Sequence, residues 1–277
     1  KGEYVCFRSC RLHTTNDMIQ LQKHCRLSET REYDMQDDSR SLSGQIALVT
    51  GASSGLGPTI CRALDAAGAK VALHYHQNQA GADQLAAELN QACCTIQADL
   101  IDSASVTSLF QQAADSLGPI TLLVNCAAAE SQLVSPLKDI DVERWAATQR
   151  TNVDAPLILT QLMAAQGGSG AIINISSIEG SRPALGHSHY STSKAALDML
   201  TKASALELGP QGIRVNAIAP GLIWRDGIDE GWPEGVASWK AAAPLGRLVD
   251  PKNIAATVVF LASNDAASIT GITLNID

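Results

Sequence analysis

The stretch Ile46-Ala-Leu-Val-Thr-Gly-Ala-Ser-Ser-Gly-Leu-Gly57 decides the fold of this chain. Residues 46–50 are mostly apolar and predict a buried strand, while residues 58–67 predict a helix that ends before Gly68. Between them, Gly51 permits a tight turn, Gly55 lets the backbone approach a pyrophosphate, and Gly57 lets helix and strand pack closely. Glycine turns are common in loops, but one placed between a strand and a helix predicts a dinucleotide-binding site.

Short apolar runs alternate with amphipathic stretches through the rest of the chain. Further strands are predicted at residues 70–74, 95–98, 120–125, 171–176, 214–218 and 272–276, helices at 80–90, 103–117, 142–165, 188–208 and 251–262, and an irregular segment at 220–247. Apolar strands that alternate with helices indicate a parallel sheet covered on both faces. We therefore predict an α/β fold in one domain at residues 44–277, with a doubly wound (Rossmann-type), mostly parallel seven-stranded sheet and helices on both faces.

Composition excludes several classes of function. The chain has 277 residues, a net charge of −8 and a pI near 5.2, which argue against binding to nucleic acid or to an anionic membrane surface. No apolar run approaches the roughly 18 to 20 residues that a membrane span requires. The seven cysteines are odd in number and scattered, several of them in apolar segments. This usage favours reduced thiols and a cytoplasmic location.

Residues 1–43 differ from the rest of the chain and are predicted to form a poorly structured or docked N-terminal arm. They are polar and lack helix or strand periodicity. Their cysteines and histidines match no standard zinc spacing, so no metal site is expected. Acids balance the bases, unlike in a transit peptide, and the first residue is lysine, so the true amino terminus is expected to lie further upstream.

A second group of residues predicts acid–base chemistry. Tyr190 and Lys194 lie four positions apart in a predicted helix and are therefore surface neighbours. A lysine charge close to a phenol favours the phenolate and lowers the tyrosine pKa from about 10. Ser177 lies at the carboxyl end of a predicted strand, where open α/β sheets bind ligands. Asn152 lies within a predicted helix, an unfavourable position unless its side chain has a task.

The end of the second predicted strand bears on the choice of dinucleotide. It has the sequence His74-Tyr-His-Gln-Asn-Gln79, and no carboxylate follows until Asp83. An acid about 20 residues after the turn binds the ribose 2′-hydroxyl of NAD and would repel a 2′-phosphate, so its absence favours NADP(H). No Arg or Lys is present to bind that phosphate, and NAD(H) stays the alternative. Hydrogen-bonding substitutes are Ser53, His76, Gln77 and Asn78.

The combined pattern resembles the short-chain dehydrogenase/reductase family over about residues 44–277. The matching elements are Thr50-Gly51-x3-Gly55-x-Gly57, Asp99, Asn125-x-Ala127, Asn152, Ser177-x2-Gly180, Tyr190-x3-Lys194 and Pro220-Gly221. The resemblance implies that Tyr190 donates a proton in reduction and that Lys194 lowers its pKa and holds the nicotinamide ribose. Ser177 would bind the substrate carbonyl, and Asn152 would hold a water. The implied cofactor-binding residues are Gly51, Ser53, Ser54, Gly55, Leu56, Gly57, His76, Gln77, Asn78, Asp99, Leu100, Asn125, Ala127, Tyr190, Lys194, Pro220, Gly221 and Ile223; Asp99 either reaches the adenine or caps a helix.

The chain departs from the family pattern at two places. The family often shows Asn-Asn-Ala-Gly after the fourth strand, and here residues 125–128 are Asn-Cys-Ala-Ala, so the local geometry is expected to shift. The chain ends at Asp277, where family members usually continue, so a further C-terminal tail is expected.

The substrate region is predicted from tryptophans in the irregular segment. Trp224, Trp232 and Trp239 lie in residues 220–247, which cover the substrate in family members. They are expected either to form aromatic walls around a flat or apolar ligand or to pack against the body of the protein as a lid. Glu130 follows the fourth strand and either contacts substrate or lies in a solvated turn. The candidate substrate residues are Glu130, Ser177, Trp224 and Trp232.

The expected function is NADP(H)-dependent hydride transfer to a ketone or 3-oxoacyl carbonyl, with Tyr190 as proton donor. Residues 73–76, 220–222 and 244–247 are similar to the pteridine-reductase branch of the family, so dihydropterin reduction is the alternative reaction. A non-catalytic cofactor sensor or scaffold is the alternative of another class, although Asn152, Ser177, Tyr190 and Lys194 are all retained. Family members commonly form dimers or tetramers, and the resemblance implies a homo-oligomer.

Overall fold

Seven parallel strands form one sheet in a computed structural model that describes residues 40–129 and 134–277. Their order across the sheet is β3-β2-β1-β4-β5-β6-β7. Each pair of neighbours runs parallel, so the predicted α/β fold is confirmed, and the mostly parallel sheet is parallel throughout the described residues. The strands are β1 Ile46–Val49, β2 Lys70–Tyr75, β3 Cys93–Gln97, β4 Leu122–Asn125, β5 Gly170–Ile175, β6 Ile213–Pro220 and β7 Thr273–Ile276.

Helices lie on both faces of the sheet. They are α1 Gly57–Ala66, α2 Gln79–Glu88, α3 Ser103–Leu117, α4 Val142–Gln149, α5 Ala155–Gln166, α6 Ser188–Leu208, α7 Ile228–Gly231, α8 Pro233–Ala242 and α9 Pro251–Ala262. The bounds of α3, α6 and α9 agree with the predicted ones residue for residue. Within the described ranges, no helix combines the length and the apolar character needed to cross a membrane.

The structure corrects two predicted segments. The single helix predicted at 142–165 is interrupted by a π-helical turn at Arg150–Asp154, which separates α4 from α5 and contains Asn152. One extra residue in a helical turn hardly changes the apolar pattern, so the sequence did not reveal it. The segment at 220–247, predicted as irregular, contains α7 and α8. Its Gly and Pro residues concealed them, although Pro233 fits the first turn of α8.

Two apolar clusters cover the faces of the sheet. Val49 belongs to the cluster that α1 and α9 cover, and the adjacent Leu48 belongs to the cluster that α3 and α5 cover. Successive strand residues point to opposite faces, which explains why β1 is apolar without alternation. The chain passes from β1 to β2 on one side and from β4 to β5 on the other, so the strand order reverses between β1 and β4. Such a reversal leaves a crevice at the carboxyl ends of the strands.

Candidate active site

The glycine turn after β1 has a backbone that only glycine accommodates. Gly51 and Gly55 have φ angles of 69° and 59°, in the left-handed region. A Cβ on Gly51 would lie 2.9 Å from the Cα of Ala127. A Cβ on Gly57 would overlap the Gly51 carbonyl oxygen and lie 2.8 Å from the Cα of Ala52. The turn can therefore be this tight, and α1 can begin directly beside β1, only without side chains at these positions.

Side chains from the turn and from β2 fix the turn in place. The Thr50 hydroxyl accepts hydrogen bonds from the backbone N–H of Cys126 at 3.0 Å and of Ala127 at 3.1 Å, which ties the turn to the end of β4. On the other side, Nδ1 of His74 accepts from the Gly51 N–H at 3.0 Å. The Asn78 amide donates to the Ser53 carbonyl at 2.8 Å and accepts from the Gly81 N–H at 3.1 Å.

A cleft of about 760 Å³ runs along the carboxyl ends of the strands, from the glycine turn to Tyr190. Its volume is in the range of about 300–1,000 Å³ that is usual for cofactor and small-molecule sites. A bare glycine turn at one end and an acid–base pair at the other fit a nicotinamide dinucleotide. The predicted residues that line the cleft are Gly51, Ser53, Ser54, Gly55, Leu56, His76, Gln77, Asn78, Asp99, Leu100, Ala127, Ser177, Tyr190, Lys194, Pro220, Gly221 and Ile223.

Other predicted site residues lie elsewhere. Gly57 is buried where α1 begins, and the Asn125 amide donates to the Asn174 side chain at 2.8 Å within the sheet. Trp224 lines a separate hollow, and Trp232 packs over Gly235. Glu130 lies outside the described residues.

Ser177 and Tyr190 lie next to each other in the cleft. Tyr190 lies in the first turn of α6 and is 9% exposed, and the Ser177 hydroxyl lies near enough to its phenol to act on its pKa. Ser177 follows β5 in an extended conformation, and its Oγ also accepts from the Glu179 N–H at 3.2 Å. Two hydroxyl groups are therefore adjacent on the wall of the cleft, where both could donate to one substrate oxygen.

Lys194 lies one turn after Tyr190 and is almost fully buried. Its Nζ donates to the Ile175 carbonyl oxygen at 2.8 Å and lies 5.5 Å from the centre of the Tyr190 ring. Burial lowers the pKa of Lys194 to about 8, while the Cys126 thiol and the Asp198 carboxylate oppose this shift. The charge of this lysine can therefore change within the range of pH in which enzymes work.

The net shift of the Tyr190 pKa is opposite in direction to the one expected from Lys194. Burial raises the pKa of Tyr190 to about 12, the Glu179 carboxylate raises it further, and the Ser177 hydrogen bond only partly opposes them. Burial disfavours the phenolate directly, and this effect outweighs the attraction of the Lys194 ammonium, which lies 5.5 Å from the ring centre. At neutral pH the phenol therefore keeps its proton, which is the form that a proton donor requires.

Glu179 was not identified from the sequence, although it lies inside the Ser177-x2-Gly180 motif. Its carboxylate is bonded to Nδ1 of His187 at 3.1 Å and accepts from the Ser191 hydroxyl at 2.8 Å. The His187 ring meets the Tyr190 ring edge to face, with centroids 6.4 Å apart. Glu179 thus organises the polar groups around the first turn of α6, next to the phenol.

Asn152 lies in the π-helical turn, and its side chain connects two parts of the site. Its Oδ1 accepts from the Ala129 N–H at 2.8 Å, and its Nδ2 donates to the Ser193 hydroxyl at 2.9 Å. These hydrogen bonds explain why an asparagine occupies a helical position that is otherwise unfavourable for it. Its expected role in holding a water stays a prediction.

Several residues that line the cleft were missed. Most of them lie at or just after the carboxyl ends of strands, and Thr151 lies in the π-helical turn beside Asn152. Their nearness in the chain to predicted residues was the available signal. Cys126 is one of them, and burial raises the pKa of its thiol to about 12, so it stays a protonated, poorly nucleophilic group. The missed lining residues are His74, Ile101, Cys126, Ala128, Ala129, Thr151, Ile175 and Ser176.

Comparisons with known proteins agree on the family. A family model described as enoyl-(acyl carrier protein) reductase matches residues 51–277. L-xylulose reductase from Bos taurus is 36% identical over 249 residues, covering 85% of this chain and 96% of that protein. The 3-oxoacyl-[acyl-carrier-protein] reductase of Synechocystis sp. is 36% identical over 245 residues, covering 86% of this chain and 97% of that protein. The crystal structure of a blue fluorescent protein from a metagenomic library, in complex with NADPH, has a TM-score of 0.81 and 35% identity, covering 86% of this chain and 98% of that one.

The chain belongs to the short-chain dehydrogenase/reductase family, as its motifs predicted. It is an oxidoreductase that acts on carbonyl or alcohol groups.

Proposed function

We propose that this enzyme reduces a ketone or 3-oxoacyl carbonyl with NADPH and that Tyr190 is the proton donor. The observation that carries the proposal is the presence of the Ser177 and Tyr190 hydroxyl groups side by side in the cleft that also contains the glycine turn. The pair lies where the reactive end of a dinucleotide would lie if its phosphates bound at the turn.

The residues of the cleft supply the proton and the charge stabilisation. NADPH, when bound, supplies a hydride to the carbonyl carbon. The C=O bond becomes a single bond, and the oxygen takes the electron pair and then the proton of the Tyr190 hydroxyl, which leaves an alcohol and a phenolate. Ser177 stabilises the developing oxygen charge by donating a hydrogen bond. The Lys194 ammonium, 5.5 Å from the ring centre, stabilises the phenolate that remains.

A preference for NADP(H) over NAD(H) is supported by the end of β2. His76 and Gln77 are exposed and line the cleft, and no carboxylate follows them until Asp83. Asn78 is already bonded to Ser53 and Gly81, which leaves His76 and Gln77 as the main candidates to bind a 2′-phosphate. The NADPH complex of the structural relative supports the same choice.

The region of the tryptophans supports a partly preformed lid. A side chain at Gly221 would overlap the Trp239 ring, whose Nε1 donates to the Arg247 carbonyl at 3.2 Å. Trp239 therefore packs against Gly221, which supports the second of the two expectations, a lid that packs its own tryptophans. Trp224 is 47% exposed and Trp232 is 55% exposed, so these two are the tryptophans available to a substrate or to a neighbouring subunit.

An oligomer is supported by apolar side chains on the outer helices. Met199 and Leu206 are 63% and 81% exposed and share one face of α6, since they lie two helical turns apart. Leu157 on α5 is 37% exposed. Covering such side chains with a second copy would remove apolar surface from water.

The proposal is tested with the purified full chain, NADPH or NADH, and a panel of carbonyl compounds. The panel contains L-xylulose, simple ketones, a 3-oxoacyl thioester and dihydrobiopterin, and the loss of NADPH absorbance is followed. Turnover of a ketone, ketose or 3-oxoacyl thioester with NADPH is expected. Turnover of dihydrobiopterin alone would replace the proposal with pterin reduction, and tight NADPH binding without turnover on the whole panel would replace it with a sensor or scaffold.

A further inference from the structure

His74 connects the glycine turn to the neighbouring strand through both nitrogens of its ring. Its side chain is 2% exposed. Nδ1 lies 3.0 Å from the Gly51 N–H, and Nε2 lies 3.2 Å from the Ala98 carbonyl oxygen. A backbone N–H can only donate and a carbonyl can only accept, so the two bonds together require a neutral ring with its proton on Nε2.

These contacts place His74 at the base of the turn. The His74 carbonyl also accepts from the Ala52 N–H at 2.9 Å, so one residue binds two successive amides of the turn. Gly51 also packs against Ala127 at the end of β4, because a Cβ on Gly51 would lie 2.9 Å from the Cα of Ala127. Gly51 is therefore held between the imidazole ring and the end of β4, and the residues that follow it line the cofactor cleft.

We propose that His74 is a positioning residue for the dinucleotide: the neutral ring holds the glycine turn in its binding shape, and protonation of the ring weakens cofactor binding. A protonated imidazole carries a hydrogen on both nitrogens, so Nδ1–H would face the Gly51 N–H, and two donors cannot bond to each other. The turn would have to move away or leave the Gly51 amide without an acceptor. This inference rests on the proposed function, in which the turn binds NADP(H).

The surroundings of the ring support a neutral histidine. Burial lowers the pKa of His74, and the nearby His76 lowers it further, while the bond to the Ala98 carbonyl opposes them. Residues 51–57 and the strand β1 contain no ionisable side chain. At the end of β3, the Asp99 carboxylate accepts from the Ile101 N–H at 3.0 Å. The transition is therefore expected below the usual histidine range, on the acidic side of neutrality.

Two substitutions separate the bonds of the ring. In His74→Asn, Oδ1 occupies the place of Nδ1 on the side chain, so the acceptor for Gly51 is kept and the bond to Ala98 is lost. In His74→Gln, Nε2 reaches as far as the ring Nε2, so the donor to Ala98 is kept and the acceptor for Gly51 is lost. Neither side chain titrates. The pair thus serves as a matched control.

The experiment measures the dissociation constant for NADPH from neutral to mildly acidic pH, together with the free energy of unfolding, for the three proteins. His76 and the 2′-phosphate are present in all three measurements, so the difference between wild type and His74→Asn isolates His74. At neutral pH, His74→Asn is expected to bind NADPH more tightly than His74→Gln, because it keeps the acceptor for Gly51. His74→Gln is expected to bind about ten- to hundredfold more weakly than wild type, because the half-buried Gly51 amide lacks an acceptor. On acidification, wild-type affinity is expected to fall more steeply than that of His74→Asn.

Equal weakening of both variants in step with their stability, or an identical pH dependence of wild type and His74→Asn, would overturn the inference. A wild type that binds neither NADPH nor NADH at neutral pH refutes the proposed function instead. In that case nitrogen NMR of the His74 ring and of the Gly51 amide still tests the contact without cofactor. The ring should show its proton on Nε2 at neutral pH, and the amide signal should shift together with protonation of the ring.

Discussion

The ammonium of Lys194 lies 5.5 Å from the centre of the Tyr190 ring and is anchored by a 2.8 Å hydrogen bond to the Ile175 carbonyl. Lysine and tyrosine are thus held by the same helix, while the end of β5 fixes where the cation sits. The short distance stabilises a phenolate once it forms, but burial keeps the phenol protonated beforehand. The arrangement suits a proton donor in reduction better than a resting base.

Tyr190→Phe is expected to lower kcat for carbonyl reduction by about 10²–10⁴-fold, because only the proton-donating hydroxyl is removed. The ring and its packing remain, so the affinity for NADPH should change little. Steady-state kinetics and a binding titration of the same preparation check this. Carbonyl reduction at the wild-type rate by the phenylalanine variant would refute the proposed role of Tyr190.

Ser177→Ala is expected to lower kcat by about 10²–10³-fold through loss of a hydrogen bond to the developing oxygen charge. The matched control is Ser181→Ala, which removes an exposed hydroxyl that donates to the Ile178 carbonyl at 3.1 Å in the same turn. The control should keep wild-type kcat. Equal losses in the two variants would show that the turn, and not the Ser177 hydroxyl, supports catalysis.

The pKa of Lys194, lowered to about 8, predicts opposite pH trends for activity and stability. The unfolded lysine titrates near ~10.4, so between these values the unfolded chain binds more protons at this site than the folded one. The contribution of Lys194 to stability is therefore complete above the unfolded pKa and falls as pH drops towards 8. Reductase activity should instead fall as pH rises through about 8, since the cation beside the phenol is lost.

Lys194→Met isolates that contribution. Chemical denaturation gives the free energy of unfolding of both proteins between pH 8 and 10, and the contributions of the other titrating groups cancel in the difference between the two. The wild type should gain stability relative to the variant as pH rises. A constant difference across this window would mean that the lysine pKa is not lowered.

Glu179→Gln is expected to lower the Tyr190 pKa, because the carboxylate is one of the groups that raise it. Oxidation of the alcohol product needs the phenolate as a base, so its rate rises with pH as the phenol loses its proton. The glutamine variant should therefore oxidise alcohol faster than wild type at a given alkaline pH. Glutamine keeps an oxygen that can accept from Ser191, so an unchanged or a higher onset pH would contradict the proposed electrostatic effect.

Gly57→Ala is expected to destabilise the protein by about 1–3 kcal/mol and to weaken NADPH binding, because the new Cβ overlaps the Gly51 carbonyl. Gly209→Ala is the control. Gly209 has helical φ and ψ angles of −51° and −45°, and nothing lies within 4 Å of its added Cβ. That variant should be unchanged or more stable by about 0.4–1 kcal/mol. Denaturation curves that place both variants level with wild type would show that α1 can move to accept a side chain.

The elements with clear end signals were predictable from the sequence. The helix predicted at residues 251–262 matches α9, and the structure shows the side chain of the preceding Asp250 accepting from the Lys252 N–H at 2.8 Å. The shape of the glycine turn and the pairing of Tyr190 with Lys194 were predictable for the same reason, because both depend on the local geometry of the chain.

Features that depend on contacts distant in sequence were not predictable. The Tyr190 pKa is set by burial and by Glu179, which the motif spacing does not reveal. The bond between His74 and Gly51 joins two strands through residues 23 positions apart. The packing of Trp239 against Gly221 likewise follows from the path of the loop and not from its composition.

The strand order also bears on how the molecule assembles. β1 pairs with β2 and also with β4, which lies much further along the chain. In the pairing with β4, Ala47 lies opposite Leu122. Parallel pairings of this kind form late and slowly during folding, and the crevice joins residues as distant as Gly51 and Lys194. A dinucleotide that binds only the completed crevice would stabilise the folded state by mass action. The amount of folded enzyme should therefore rise with the concentration of the dinucleotide around it.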